Sequence, residues 1–199
     1  QRYFEEEISN EVNLSYSDNQ VTVTTDYLTL VYTLNSEGYA SQCVYSLSSQ
    51  NRIYQFSYSA EGYLTGIVEN IDDTEYSSTS LTYENGDITS ISSKMNGLEN
   101  KFIYEPGEES STYHLPCLGL LEIHPLTFHI EALYAGLLGK DPRHFTMHSC
   151  PAGSNDEKTV YSYGFDKKGN PSRMICQTTY AGGQASYYPY TRNISVSFE

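Results

Sequence analysis

Glycine returns in this chain at a fixed distance. Gly38, Gly62 and Gly86 are spaced by 24 and 24 residues, and each has the same surroundings. An alternating strand and a short polar turn come before it, and a second short strand follows. The copies read VYTLNSEGYASQC, FSYSAEGYLTGI and LTYENGDITSI, and a fourth, YGFDKKGNPSRM, surrounds Gly169. Five residues after each glycine stands a soft apolar residue: Cys43, Ile67, Ile91 and Met174. A period of roughly 20–50 residues marks a repeated supersecondary unit. Here that unit is a β-hairpin, which joins antiparallel neighbours and leaves no place for a parallel sheet.

Turn chemistry supports the hairpins. Tyr58-Ser-Ala-Glu-Gly62 reads as a type I turn closed by glycine in the left-handed region, with a G1 bulge. The third copy is one residue shorter, and its Asn85-Gly86 pair suits a tighter primed turn. Alternation sets the faces. Tyr54, Phe56 and Tyr58 point one way and Gln55, Ser57 and Ser59 the other. Tyr161, Tyr163 and Phe165 repeat the pattern, as do Leu28, Leu30, Tyr32 and Leu34. One face is aromatic and the other compatible with water. After the glycine, the apolar positions at plus two and plus five have opposite parity, which requires either a bulge or a strand buried on both sides.

The frame breaks once, over about residues 108–158. Leu126, Ile130, Leu133, Tyr134, Leu137 and Leu138 recur at helical spacing. Pro125 suits the first turn, Gly139 the C-cap, and Pro142 lies beyond. The pattern predicts one amphipathic helix of roughly 13 residues, packed by its apolar stripe on the aromatic sheet face. The fold class expected is all-β: a strongly curved, barrel-like antiparallel meander with one α-helix on its concave face. A two-sheet sandwich is the alternative. The 199 residues form one domain, with hairpins over about 12–107 and 159–199.

Composition narrows function. With 11 Lys and Arg against 25 Asp and Glu, the formal charge is −14. Such a surface repels phosphate, so nucleic acid and anionic membranes are excluded as partners. No apolar run is long enough for a transmembrane helix. Tyr is the outlier at 20 residues, against 7 Phe and no Trp.

No residue pattern requires a catalytic centre, a metal or a cofactor. His144, His148 and Cys150 lie close together in HFTMHSCP, but this Pro-flanked segment reads as a loop rather than a helix presenting two ligands. His114, His124 and His129 stand apart in sequence. GxSxG, HExxH and SxxK are absent. Asp72, Asp73 and Glu75 read as a solvated hairpin loop rather than paired catalytic carboxylates. Most tyrosines fall at core parity. Tyr187, Tyr188 and Tyr190 do not, because Pro189 interrupts the alternation. They are therefore the candidate ligand-binding residues. Tyr joins an apolar ring to a hydroxyl, which suits a sugar or protein surface. Cys43 and Cys176 are expected to pack as small hydrophobes. A Cys117–Cys150 disulfide around the insert is permitted but not required.

LYAGLLGKDPRH at residues 133–144 and YSYGFDKKGNPSRMI at 161–175 resemble a bacterial family known only as domain of unknown function 4595, with a porin-like fold. The similarity extends over most of the chain. The Tyr/Gly hairpins also look like YD repeats of large surface proteins, a match generic to Tyr-rich hairpins. The family resemblance implies a curled antiparallel sheet on an exported lipoprotein of the Gram-negative cell envelope, with no catalytic residues. A lipid-facing barrel would have to turn its Tyr face outward and leave the apolar helix without a dry partner. A sheet wrapped around that helix satisfies both surfaces. The expected function is a non-enzymatic, envelope-tethered, monomeric protein binding a glycan or a surface protein. The alternatives are a hydrolase with paired carboxylates and a purely structural module.

Overall fold

The computed structural model describes residues 12–25, 28–47, 50–110, 124–154, 157–165, 167, 171–180 and 190–193. Thirteen strands follow one another: β1 (Asn13–Ser17), β2 (Gln20–Thr24), β3 (Thr29–Leu34), β4 (Ala40–Leu47), β5 (Gln50–Tyr58), β6 (Leu64–Ile71), β7 (Thr74–Glu84), β8 (Asp87–Met95), β9 (Leu98–Ser110), β10 (His144–Pro151), β11 (Glu157–Phe165), β12 (Pro171–Tyr180) and β13 (Tyr190–Asn193). They form one curved sheet in which every strand pairs antiparallel with its sequence neighbour, in the order β1 to β13. The expected meander is therefore the fold.

Each glycine-centred copy is one hairpin: β3–β4, β5–β6, β7–β8 and β11–β12. In the first two, the Gly38 amide donates to the Asn35 carbonyl at 3.1 Å and that of Gly62 to the Ser59 carbonyl at 3.0 Å. Both glycines have positive φ, 86° and 91°, as the type I turn with a following left-handed residue demands. In the third, Asn85 and Gly86 are both left-handed and Glu84 pairs with Asp87, which is the tighter primed turn.

The parity question resolves as a bulge, identical in all four copies. The residue three after the glycine is skipped in the pairing: Ser41, Thr65, Thr89 and Ser172. This extra residue turns both Ala40 and Cys43 inward, and likewise Leu64 with Ile67 and Ile88 with Ile91. It is always Ser or Thr. The Ser41 hydroxyl donates to the Thr33 carbonyl at 3.0 Å and that of Thr89 to the Thr82 carbonyl at 3.2 Å, engaging an acceptor of the opposite strand.

The inward face builds one core. Val21, Val23, Leu30, Tyr32, Cys43, Tyr54, Phe56, Ile67, Leu81, Ile91 and Tyr104 pack in a single cluster with Leu126, Ala132, Leu133, Leu137 and Leu138 from the segment that crosses the concave side. Cys43 is buried, as expected of a small hydrophobe, and burial pushes its thiol up to about 12. Alternate residues, among them Thr22, Gln42, Gln55, Ser57, Ser78, Ser80 and Ser92, turn away from that core. Val31, Val44, Ile53 and Val68 interrupt this exterior, but the polar residues among them leave it without the continuous apolar band of a lipid-facing barrel. No helix among the described residues is long and apolar enough to cross a membrane.

The helix is shorter than its periodicity predicts. A 3-10 turn at Leu126–Phe128 leads into α1, which spans only Ile130–Tyr134. It stops at Gly136, not Gly139. The Leu137 amide donates to the Ala132 carbonyl and the Gly136 amide to that of Leu133, which is the Schellman pair, with Gly136 at φ 70°. Leu137 and Leu138 are buried, but in the turn that leaves the helix. The insert is also narrower than 108–158, since β9 runs to Ser110 and β10 starts at His144. The histidines of HFTMHSCP therefore lie on a strand, correcting the loop assignment.

From Leu137 to Arg143 the chain is a strap across the glycine turns. The Leu137 carbonyl accepts from the Ala40 amide (2.7 Å), the Lys140 amide donates to the Gly62 carbonyl (2.9 Å), and the Arg143 amide donates to the Gly86 carbonyl (3.0 Å). The three contacts fall three residues apart on the strap and one hairpin apart on the meander, at Ala40, Gly62 and Gly86. Gly139 sits where a Cβ would lie 2.7 Å from the Gly62 carbonyl oxygen, whereas a Cβ on Gly136 would meet open space. Both have positive φ. Gly136→Ala should cost about 1 kcal/mol from backbone strain alone. Gly139→Ala should cost at least about 2 kcal/mol more, because the strap must lift from the second hairpin. Urea unfolding of the two variants checks the difference.

Candidate functional site

Toward the end of the concave face remote from the glycine turns, the inward positions become polar. Glu69 follows Ile67 at core parity on β6 and is fully buried. Its Oε1 accepts from Arg52 Nη1 (3.0 Å) and the Tyr54 hydroxyl (3.2 Å). Its Oε2 accepts from the Ser77 hydroxyl (2.7 Å) and lies 2.7 Å from His124 Nε2. Burial by itself would raise the carboxyl's pKa. The hydrogen bonds from His124 and Ser77, with the His124 charge, outweigh it and hold the group below its ordinary range. The Thr79 hydroxyl lies 3.2 Å from both the His124 carbonyl and the Ser93 hydroxyl, fixing the crossing segment a second time.

Ser, His and Glu meet here, but not as a catalytic triad. The Ser77 hydroxyl also lies 3.3 Å from His124 Nε2, but that same nitrogen meets Glu69 Oε2, which Ser77 itself bonds, so the imidazole does not relay between hydroxyl and acid through its two nitrogens. With four donors on Glu69, the cluster is a fastening between sheet and crossing segment. His129 fastens the same segment deeper in the core. It is completely buried, Nδ1 lies 2.8 Å from the Tyr32 hydroxyl, and its ring meets Tyr54 and Phe56 edge to face at 4.4 and 5.3 Å. Burial pushes the Tyr32 phenol up, so it stays neutral and shares one hydrogen bond with Nδ1. Nε2 has no hydrogen-bond partner among the described residues. Burial lowers this imidazole to about 3.

The open site lies at the opposite end, where the strap crosses the turns. A groove of about 690 Å³ runs between the second and third hairpins. Tyr63 on the turn before β6 and Tyr83 on β7 stack within it at 4.9 Å and 28°. Thr65, Thr82 and Asn85 add hydroxyl and amide groups, and Glu61, Lys140 and Arg143 stand at its rim. The Arg143 stem lies over Gly86, where a Cβ would come within 2.6 Å of Arg143 Cδ and 2.7 Å of the Tyr63 hydroxyl. Gly86 is thus required twice, by its φ of 88° and by the side chains that cross it. Asp87, the next residue, is occupied by the His144 amide (2.8 Å) and Nδ1 (2.9 Å).

The candidate residues distribute as follows. Tyr187 and Tyr188 lie outside the described residues. Tyr190 opens β13 opposite Cys176, and only its backbone is described. His114 and Cys117 also lie outside, and Cys150 carries a free thiol. Asp72 and Asp73 form an exposed two-residue turn with both residues left-handed, in keeping with the solvated loop. His144 and His148 engage Asp87 and Glu105 separately, and no group of three metal-ligating side chains occurs among the described residues. Tyr63, Tyr83 and Arg143 were not singled out by the sequence. Their convergence depends on the strap, which brings residues 140 and 143 onto residues 63 and 83.

Comparison with known proteins agrees with this architecture. A porin-like protein from Bacteroides uniformis superposes with a TM-score of 0.78 at 27% identity, over 92% of this chain and 74% of that one. No curated protein matches. The family described as a domain of unknown function (DUF4595) with porin-like fold matches residues 2–173. With a meander of thirteen strands among the described residues, a short concave-side helix and a family match across most of its length, the chain belongs to the domain of unknown function 4595 family with porin-like fold.

Proposed function

We propose that this protein is a non-enzymatic binding protein of the cell envelope, and that its ligand is a glycan seated in the Tyr63–Tyr83 groove. The observation that carries the reading is the groove itself. Two half-exposed tyrosines and a fringe of short hydroxyl and amide side chains line a concavity of about 690 Å³, large enough for a few sugar rings. The other two described cavities support catalysis no better. The one beside Phe145 and Tyr163 contains one carboxylate, Glu108, and the one beside His124 contains none, whereas glycoside hydrolysis needs a pair. Export and tethering rest on the family resemblance, and a polar sheet exterior suits a monomer in aqueous surroundings.

A glycan array probed with the folded chain, followed by calorimetry on the hits, tests the reading. Tyr83→Ala should weaken a hit by about tenfold or more. Tyr63→Phe, which keeps the stack and removes one hydroxyl, should weaken it less. Undiminished binding in Tyr83→Ala, or binding only to a protein partner at another face, would overturn it.

A further inference from the structure

The groove's charge is out of character with the rest of the chain. Against 25 acids there are only 11 Lys and Arg, and two of those, Lys140 and Arg143, stand at one rim. Neither forms an ion pair within 4 Å among the described residues. Lys140 shares its field with Glu61 across the lip, and Glu61 is held below its usual range by the Ser59 hydroxyl, its own backbone amide and that lysine. Among the described residues no carboxylate lies within 4 Å of the Arg143 guanidinium, and the acids nearest it in the chain and on the third hairpin are Asp141, two residues before it on the strap, Glu84, two residues before Gly86, and Asp87, the residue after Gly86. Asp87 is spent on His144. The Arg143 guanidinium reaches the Asn85 carbonyl by a long contact of 3.4 Å.

Its position is nevertheless fixed. The backbone amide is tied to Gly86, and the side-chain stem lies in the space that a Cβ on Gly86 would fill, against Tyr63. A planar fork of donors held at the rim of a tyrosine-lined groove, with no carboxylate within 4 Å among the described residues, matches a carboxylate on the ligand. We infer that the groove selects carboxylated glycans, hexuronate-containing oligosaccharides, and that Arg143 is the residue that reads the acid. This inference rests on the glycan reading of the same groove and specifies its substrate class. Lys140, partly offset by Glu61, contributes less.

The test is calorimetry of the folded chain against galacturonate, glucuronate and mannuronate oligomers and the same oligomers after carboxyl reduction. At least one acidic series should bind, its reduced counterpart should bind about tenfold or more weakly, and Arg143→Gln should erase that preference. Lys140→Gln should reduce it by a smaller factor, and both variants should keep the wild-type thermal midpoint, since each retains the strap's backbone bonds. Equal affinity for acidic and reduced oligomers, or a preference that survives Arg143→Gln, would overturn the inference while leaving glycan binding in place. Binding to neither set, together with a blank glycan array, would overturn both.

Discussion

Acidification from pH 7 to pH 4 should cost the fold about 3 kcal/mol through His129 alone. The imidazole stays neutral in the folded chain down to about 3 and takes up its proton near 6.5 when the chain unfolds. Between those values the unfolded state binds more protons, so stability falls as the pH falls. The loss begins near pH 6.5 and is complete near pH 3. The double variant Tyr32→Phe/His129→Leu removes both partners of the 2.8 Å hydrogen bond together, so that neither is left stranded. Its unfolding free energy should vary by about 3 kcal/mol less over the same range. Denaturant titrations at several pH values read this directly, and an unchanged pH slope would contradict the assignment of a neutral buried histidine.

The second large effect is at Glu69. Glu69→Gln should destabilise the protein by about 3 kcal/mol, measured by urea unfolding at pH 7. The amide keeps the shape but turns one acceptor into a donor facing Ser77 and His124, and it withdraws the charge that Arg52 faces. The acid limb should change as well. The wild-type carboxyl is held below its ordinary value, so its contribution is present above the usual glutamate range and lost as the pH falls through the lowered value. The variant has no such group to lose. A change below about 1 kcal/mol would show that the four donors find water instead and that the cluster fastens nothing.

The repeat was legible because each part has a local cause. Glycine supplies a left-handed residue, and the opposite parity of positions plus two and plus five could arise from a bulge. The Ser or Thr that occupies the bulge is visible once its role is understood. Helix length was not legible, because Leu137 and Leu138 are apolar for the strap's sake. A buried turn and a buried helix present the same residues over so short a run. LYAGLLGKDPRH, the most specific part of the family resemblance, contains the α1 C-terminus and the whole strap, yet nothing local in it reveals that it registers on three hairpins 24 residues apart.

The buried cluster left one readable trace, a glutamate at core parity two residues after Ile67, with Arg52 at the parity of Tyr54 and Phe56. His124 could not be paired with it without the fold. The groove had no trace, since its tyrosines follow the same rule as the core tyrosines and its cations arrive from 57 or more residues further along the chain.

The most direct measurement is a two-dimensional amide NMR titration of the labelled chain with the tightest glycan from the array. The account predicts chemical-shift changes centred on Tyr63, Tyr83, Gly86 and Arg143, with β11 and β12 unmoved. Changes centred instead on the cavity at Phe145 and Tyr163, or around His124, would contradict the account.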